Sequence, residues 1–319
     1  MVYLFVILAI LCLAVKGFCG KKTSIYAEKI SYAFLLNLVR MLLCIVVGLI
    51  VLLIEAKGKI TGIDWRLALI ALTGGAGTAM LVVCWVLATR ENTLVRVDVA
   101  CTVASLLPAV LSLIFFKESF SGWKMFGFAL ILSAVFIVSI GKGGQKKTSA
   151  FGIVMLVLTA LGDGIASFSQ QLYKQFYTAG GIYAGETLYS EATFNFWMYV
   201  MAAAVLIVVY VVYVLTAGRK ETTPEGEPLT TPRRIKDIAK ALPYVAVMAA
   251  CLFGANYFQT ISTSIYGMKA QVLYPVLKAG CLISSNLQGA LLFNEKLTVQ
   301  NVVGSLVALG GMILINVLG

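Results

Sequence analysis

Residues 113–141, LIFFKESFSGWKMFGFALILSAVFIVSIG, return near the C-terminus as residues 290–318, ALLFNEKLTVQNVVGSLVALGGMILINVL. At a constant offset of 177 residues, Phe116 falls on Phe293, Glu118 on Glu295 and Gly127 on Gly304. In each copy an apolar stretch runs into a short charged hinge. A glycine follows nine residues after the glutamate, inside the next apolar stretch. A motif repeated at a fixed distance predicts a chain built as one unit written twice.

The surrounding composition says what kind of unit this is. Of 319 residues, 60% are apolar and only 12% charged, and the mean hydropathy is +0.94. A soluble domain carries about twice that share of charge, roughly 25%. A polytopic membrane protein is the class that fits. The first apolar segment has no small-residue cleavage site after it, so it is read as a helix and not as a signal peptide. The net charge of +11 sits mostly in short connections, as in chains oriented by lysine and arginine. It does not point to nucleic acid.

Ten apolar stretches approach the ~20 residues that cross the hydrocarbon. They cover residues 2–19, 30–54, 67–88, 93–116, 122–141, 151–176, 191–216, 241–266, 270–293 and 298–318. No alternating ten-residue strands occur, and lipid cannot satisfy an open backbone, so the expected class is an all-α polytopic membrane protein. Five stretches fall in 1–141 and five in 142–319, joined through Gly141-Lys142-Gly143-Gly144-Gln145-Lys146-Lys147. An odd number of spans per copy sets the two copies upside down relative to each other. That is the inverted-repeat plan of many secondary transporters, with a ligand site near mid-membrane between the halves. The one long connection, 217–240, holds Pro224, Pro228 and Pro232 and a basic end, and reads as a solvated loop with a turn of surface helix.

Small residues mark expected helix contacts: Gly74, Gly75 and Gly77 in the third stretch, Gly304, Gly310 and Gly311 in the tenth. Pro108 and Pro275 can bend the fourth and ninth. The seven cysteines form no CxxC pair and read as small apolar packing residues. Histidine is absent, which removes histidine acid–base chemistry and the commonest metal ligand; no metal site, catalytic residue or cofactor is expected.

The ten stretches, the doubled helix–acidic hinge–glycine pattern and the arginine in Leu38-Val39-Arg40-Met41 resemble the drug/metabolite transporter superfamily, and within it the EamA-type transporters. The resemblance spans nearly the whole chain. It implies a bundle of two inverted five-helix repeats and carriage of a small molecule across a plasma membrane. The hinge Phe116-Lys117-Glu118-Ser119 departs from it, since a basic residue after the glutamate is more usual. Superfamily members that move phosphorylated or nucleotide-linked substrates use a lysine of the ninth helix against the anion, which points to Lys278.

Ionisable groups at membrane depth are costly and therefore functional candidates. At a rise of ~1.5 Å per residue, Arg40, Asp163 and Lys278 lie roughly 12–18 Å into their spans. Asp98 sits nearer an edge, while Lys16 and Lys174 lie close enough to span ends to reach outward. Asn256, Gln259 and Asn286 add hydrogen-bonding groups. The expected substrate site is Lys278, Arg40, Asp163, Asn256, Gln259 and Asn286, with Asp163 and Asp98 as coupling carboxylates and protons as the candidate coupling ion. Its surplus of cation suits an anionic or zwitterionic metabolite, such as an amino acid. The expected protein is not an enzyme, and is a monomer or homodimer in the bilayer.

Three alternatives stand beside this reading. A lipid-linked-sugar flippase or a multidrug exporter would share the fold. The multidrug members that the chain resembles rely on a first-span glutamate, where this chain has Lys16. Asp98 with Asp163 also invites comparison with intramembrane aspartyl proteases, but the expected YD and GxGD motifs read RVD and ALGD. Metalloprotease HExxH and hydrolase GxSxG motifs are absent. Lysine and arginine concentrate after odd-numbered spans, which places both termini outside the cytoplasm. The resemblance implies termini inside.

Overall fold

The computed structural model describes residues 2–55, 62–104, 106–116, 121–140, 149–177, 181–183, 189–221, 231–294 and 298–317. These residues are helical with short connections, and no strand occurs among them. The helices are α1 (Val2–Ser24), α2 (Ile30–Glu55), α3 (Trp65–Glu91), α4 (Leu94–Ala104), α5 (Leu106–Phe116) and α6 (Gly122–Ile140). They continue as α7 (Ala150–Tyr177), α8 (Glu191–Leu215), α9 (Thr231–Ile238), α10 (Leu242–Ser264), α11 (Ala270–Leu292) and α12 (Val299–Val317). The consecutive stretches α4 and α5 occupy the expected fourth span. The hinge glutamates Glu118 and Glu295 and the tract 141–148 lie outside the described residues.

Helix starts follow the sequence chemistry. Asp64 caps α3, its Oδ1 accepting from Leu67 N at 2.9 Å, and Ser190 Oγ caps α8 by accepting from Thr193 N at 3.2 Å. Tyr177, the last residue of α7, donates to both carboxylate oxygens of Asp64, at 2.7 and 2.9 Å. Pro243 stands in the first turn of α10, where its missing N–H costs nothing. The basic end of the long loop forms α9, and Asp237 of α9 accepts from Tyr32 at 2.7 Å. Glu221, before the loop, takes Ser31 and Tyr213 hydroxyls.

Among the described residues, six helical stretches, those ending at Ser24, Glu55, Glu91, Tyr177, Leu215 and Ser264, are long and apolar enough to cross a membrane. Their outward faces expose Ile7, Val46, Ile50, Leu69, Val157, Val208 and Val212. In water that surface would be an aggregation liability; in a bilayer it is the lipid contact. The chain is a multi-pass membrane protein.

The helices pack in a regular set of pairs. α3 lies on α7 and α1 on α10; α3 meets α8 and α2 meets α10; α4 meets α7 and α1 meets α11. The pairs α2·α8, α6·α12 and α4·α11 complete the arrangement. The main apolar core is built from α2, α3, α8 and α10, with Leu36, Met41, Val86, Phe194, Tyr199 and Phe253 at its centre.

Lipid gives no hydrophobic drive between helices, so close backbone packing has to supply the attraction. At the α3–α7 crossing a methyl on Gly77 would sit 2.7 Å from Ala166 N, and one on Gly162 would sit 2.5 Å from Leu81 N. A methyl on Gly311 of α12 would sit 2.6 Å from Gly127 O of α6. Gly310 differs from the expectation: it has open space around it and makes no helix contact of this kind.

Candidate functional site

The segment Leu161-Gly162-Asp163-Gly164 explains how a carboxylate comes to be aimed inward. Successive residues on a helix step by about 100°. Gly162 lies against α3, while Gly164 faces Ala104 and Leu107 of α4 and α5. Asp163 lies between these two contact faces, so its side chain enters the space between α3, α4 and α11. On α11, Leu277 is buried, and one turn earlier Tyr274 donates to Ser167 O at 3.0 Å and to Gln170 Oε1 at 3.0 Å. Those bonds lock α11 to α7 and bring Lys278 opposite Asp163. Lys278 Nζ donates to Asp163 Oδ2 in an ion pair whose side chains are 13% and 14% exposed.

Two small cavities flank this pair, and both are lined by Lys16, Leu13, Leu81, Asp163 and Lys278. Each has about 30 Å³ of free space, room for one or two waters and too little for a metabolite. The first cavity continues to Asp98, Trp85, Ser284, Ser285 and Gln288. The second continues to Thr78, Gln170, Asn256, Gln259 and Tyr274. The ion pair is thus a wall shared by two polar chambers.

Both chambers contain polar atoms with unused hydrogen-bonding capacity. Gln288 Nε2 donates to Ala14 O at 2.9 Å and to Ser284 Oγ at 2.8 Å, but its Oε1 is buried without a partner among the described residues. Thr78 Oγ1 is likewise buried and unpartnered. Such an atom costs roughly 1–3 kcal/mol unless water or a ligand satisfies it. Asp98 is approached by the Ser285 hydroxyl.

The residues expected at the site fall into two groups. Asp98, Asp163, Lys278, Asn256 and Gln259 line one or both cavities. Asn256 is held there by its bond to Tyr199 Oη at 2.6 Å. Arg40 and Asn286 stand apart from both linings. Arg40 is 2% exposed, its contact is Asn37 Oδ1 of its own helix at 3.4 Å, and its Nε has no partner among the described residues. Asn286 bonds Ser305 Oγ of α12 at 2.8 Å.

Lys16 reverses the expectation. The apolar reading ended the first span at residue 19, at the Lys21-Lys22 pair, and so placed Lys16 near an edge. The helix runs on to Ser24, which sets Lys16 eight residues, or ~12 Å, from its end. Its ammonium lies 6.0 Å from the Trp85 ring centroid and faces both cavities. Lys174, the other residue expected to reach outward, bonds Met268 O at 3.3 Å. Gln288, Ser284, Trp85 and Tyr274 were not singled out beforehand. The available signal was the polar stripe Ser284-Ser285-Gln288 beside Lys278 on one helix.

Residues 1–140 match the EamA-like transporter family. The match ends before α7, so Asp163, Lys278 and the second hinge lie outside it. A crystal structure described only as that of a protein is similar over 99% of this chain and 96% of its own, at 14% identity and a TM-score of 0.66. At that identity the likeness concerns the fold alone. No curated protein matches the sequence.

Proposed function

We propose that the protein is a secondary transporter of a small polar metabolite, anionic or zwitterionic, working by alternating access between two inverted five-helix repeats in the plasma membrane. The observation that carries this is the Asp163–Lys278 pair, buried between two polar chambers at the centre of an EamA-like bundle. Charges at membrane depth persist where they face a pathway.

The packing pattern supports the doubling. Exchange α1 with α7, α2 with α8, α3 with α10, α4–α5 with α11, and α6 with α12. The contacts α3·α7 and α1·α10 then trade places, as do α3·α8 and α2·α10, and α4·α7 and α1·α11. The pairs α2·α8, α6·α12 and α4·α11 map onto themselves. A two-fold relation between 1–141 and 142–319 accounts for all of these at once.

In this reading Lys278 and Asp163 hold each other in the closed state, Asn256 and Gln259 orient a polar ligand, and Asp98 is the carboxylate free to carry a coupling proton. The protease alternative loses ground. Asp98 and Asp163 do line one cavity, but Asp163 is committed to Lys278, whereas aspartic proteases need two carboxylates sharing a proton. Uptake from a metabolite library into proteoliposomes, with and without a proton gradient, tests the proposal. Saturable uptake of an anionic or zwitterionic compound supports it. Flipping of a lipid-linked sugar without any gradient would replace it.

A further inference from the structure

Lys278 has its counter-charge in Asp163, and the bridge between them is electrically neutral as a whole. Lys16 has none. Among the described residues its ammonium makes no ion pair and no hydrogen bond; its one close partner is the Trp85 face at 6.0 Å. It nevertheless lines both cavities. An ammonium has three donors to satisfy, and in a water-poor interior leaving them unused is expensive. The Gln288 amide adds to the same picture: it is held in place by Ala14 O and Ser284. It lines the first chamber together with Lys16 and Trp85.

We infer that Lys16, and not Lys278, is the residue that receives the anionic group of the transported molecule, while the Asp163–Lys278 bridge stays paired and forms the chamber wall. This rests on the transporter reading above and specifies its selectivity: a small carboxylate, free or as part of a zwitterion, lands on Lys16 beside Trp85. A ligand anion on Lys278 would first have to break a buried bridge and strand Asp163. On Lys16 it meets a cation with no direct ion pair to break.

Cys281 lines the first chamber and supplies a reporter that needs no knowledge of the substrate. In full-length protein with the other cysteines replaced, Cys281 is reacted with a sulfonate-bearing methanethiosulfonate and with its trimethylammonium counterpart. A cation focused in a narrow cleft raises the local anion concentration by about tenfold or more. Lys16→Met should therefore cut the anionic-to-cationic rate ratio by about tenfold, and Lys16→Arg should restore it. The charge-neutral double variant D163N/K278M should leave the ratio within about twofold, because it removes no net charge. Sodium acetate should slow labelling in the parent protein and not in Lys16→Met. If Lys16→Met does not fold, Lys16→Gln carries the same expectation.

The inference falls if the double variant loses the ratio while Lys16→Met keeps it. It also falls if acetate protects equally in both, or if neither reagent reaches Cys281. Proteoliposome uptake separates the two levels. Absent uptake alongside Lys16-dependent labelling would defeat the transport reading alone. Robust uptake with Lys16-independent labelling would defeat this inference alone.

Discussion

Removing one member of the Asp163–Lys278 pair should cost far more than removing both. Lys278→Met leaves a carboxylate in a site that is 14% exposed, with Lys16 lining the same cavities but unpaired. Breaking a buried pair from one side costs about 3–5 kcal/mol. Residual exposure and the flanking cavities place this pair at the lower end, about 3 kcal/mol. For a chain of this size each kcal/mol moves the unfolding midpoint by roughly 2 °C, so Lys278→Met should lose about 6 °C. D163N/K278M removes both charges and leaves a polar amide beside an apolar chain of similar volume. It should return to within about 2 °C of the parent, since replacing a whole buried pair is often neutral. The assay is thermal unfolding of detergent-purified protein, followed by intrinsic fluorescence, on parent, both single variants and the double. If the double variant is as unstable as the singles, or the singles match the parent, the pair does not hold the closed chamber and the reasoning fails.

Other expectations follow from single contacts. Gly77→Val forces side-chain atoms onto the backbone of α7, so folded yield should collapse, whereas Gly310→Ala, in open space, should shift the unfolding midpoint by under about 1 °C. Tyr177→Phe removes the hydroxyl that binds both Asp64 oxygens at the start of α3, and should cost about 1.5–3 kcal/mol in the same unfolding assay. Arg40→Met removes a buried cation that has no carboxylate partner among the described residues. It should leave thermal stability unchanged or raised; a loss of several degrees would reveal an anion bound there. Asn286→Leu breaks the bond to Ser305, costs under ~1–2 kcal/mol, and should leave uptake intact.

The fold was legible because the bilayer imposes a length and a polarity that few other settings require. Each expected apolar interval carries helix, and the glycines at the α3–α7 crossing were visible as a cluster before their partners were known. Asp163 and Lys278 were legible for the same reason: a charge at depth has to face protein. Their mutual pairing was not, because nothing in the sequence gives the relative rotation of α7 and α11. Lys16 was hidden by the position of Lys21 and Lys22, whose charges made the first span look shorter than its helix. Arg40 and Asn286 stand apart from both cavities. Both are polar at depth, yet one sits beside its own helix's Asn37 and the other bonds α12. Depth alone does not distinguish a pathway from a helix contact.

In the proposed mechanism the chamber opens to each side of the membrane in turn around the Asp163–Lys278 wall. Labelling of Cys281, as the single cysteine, with a membrane-impermeant thiol reagent in right-side-out and in inside-out vesicles measures it directly. Alternating access predicts modification from both faces, slowed by substrate on either side. Reaction from one face alone, in every condition, would contradict it.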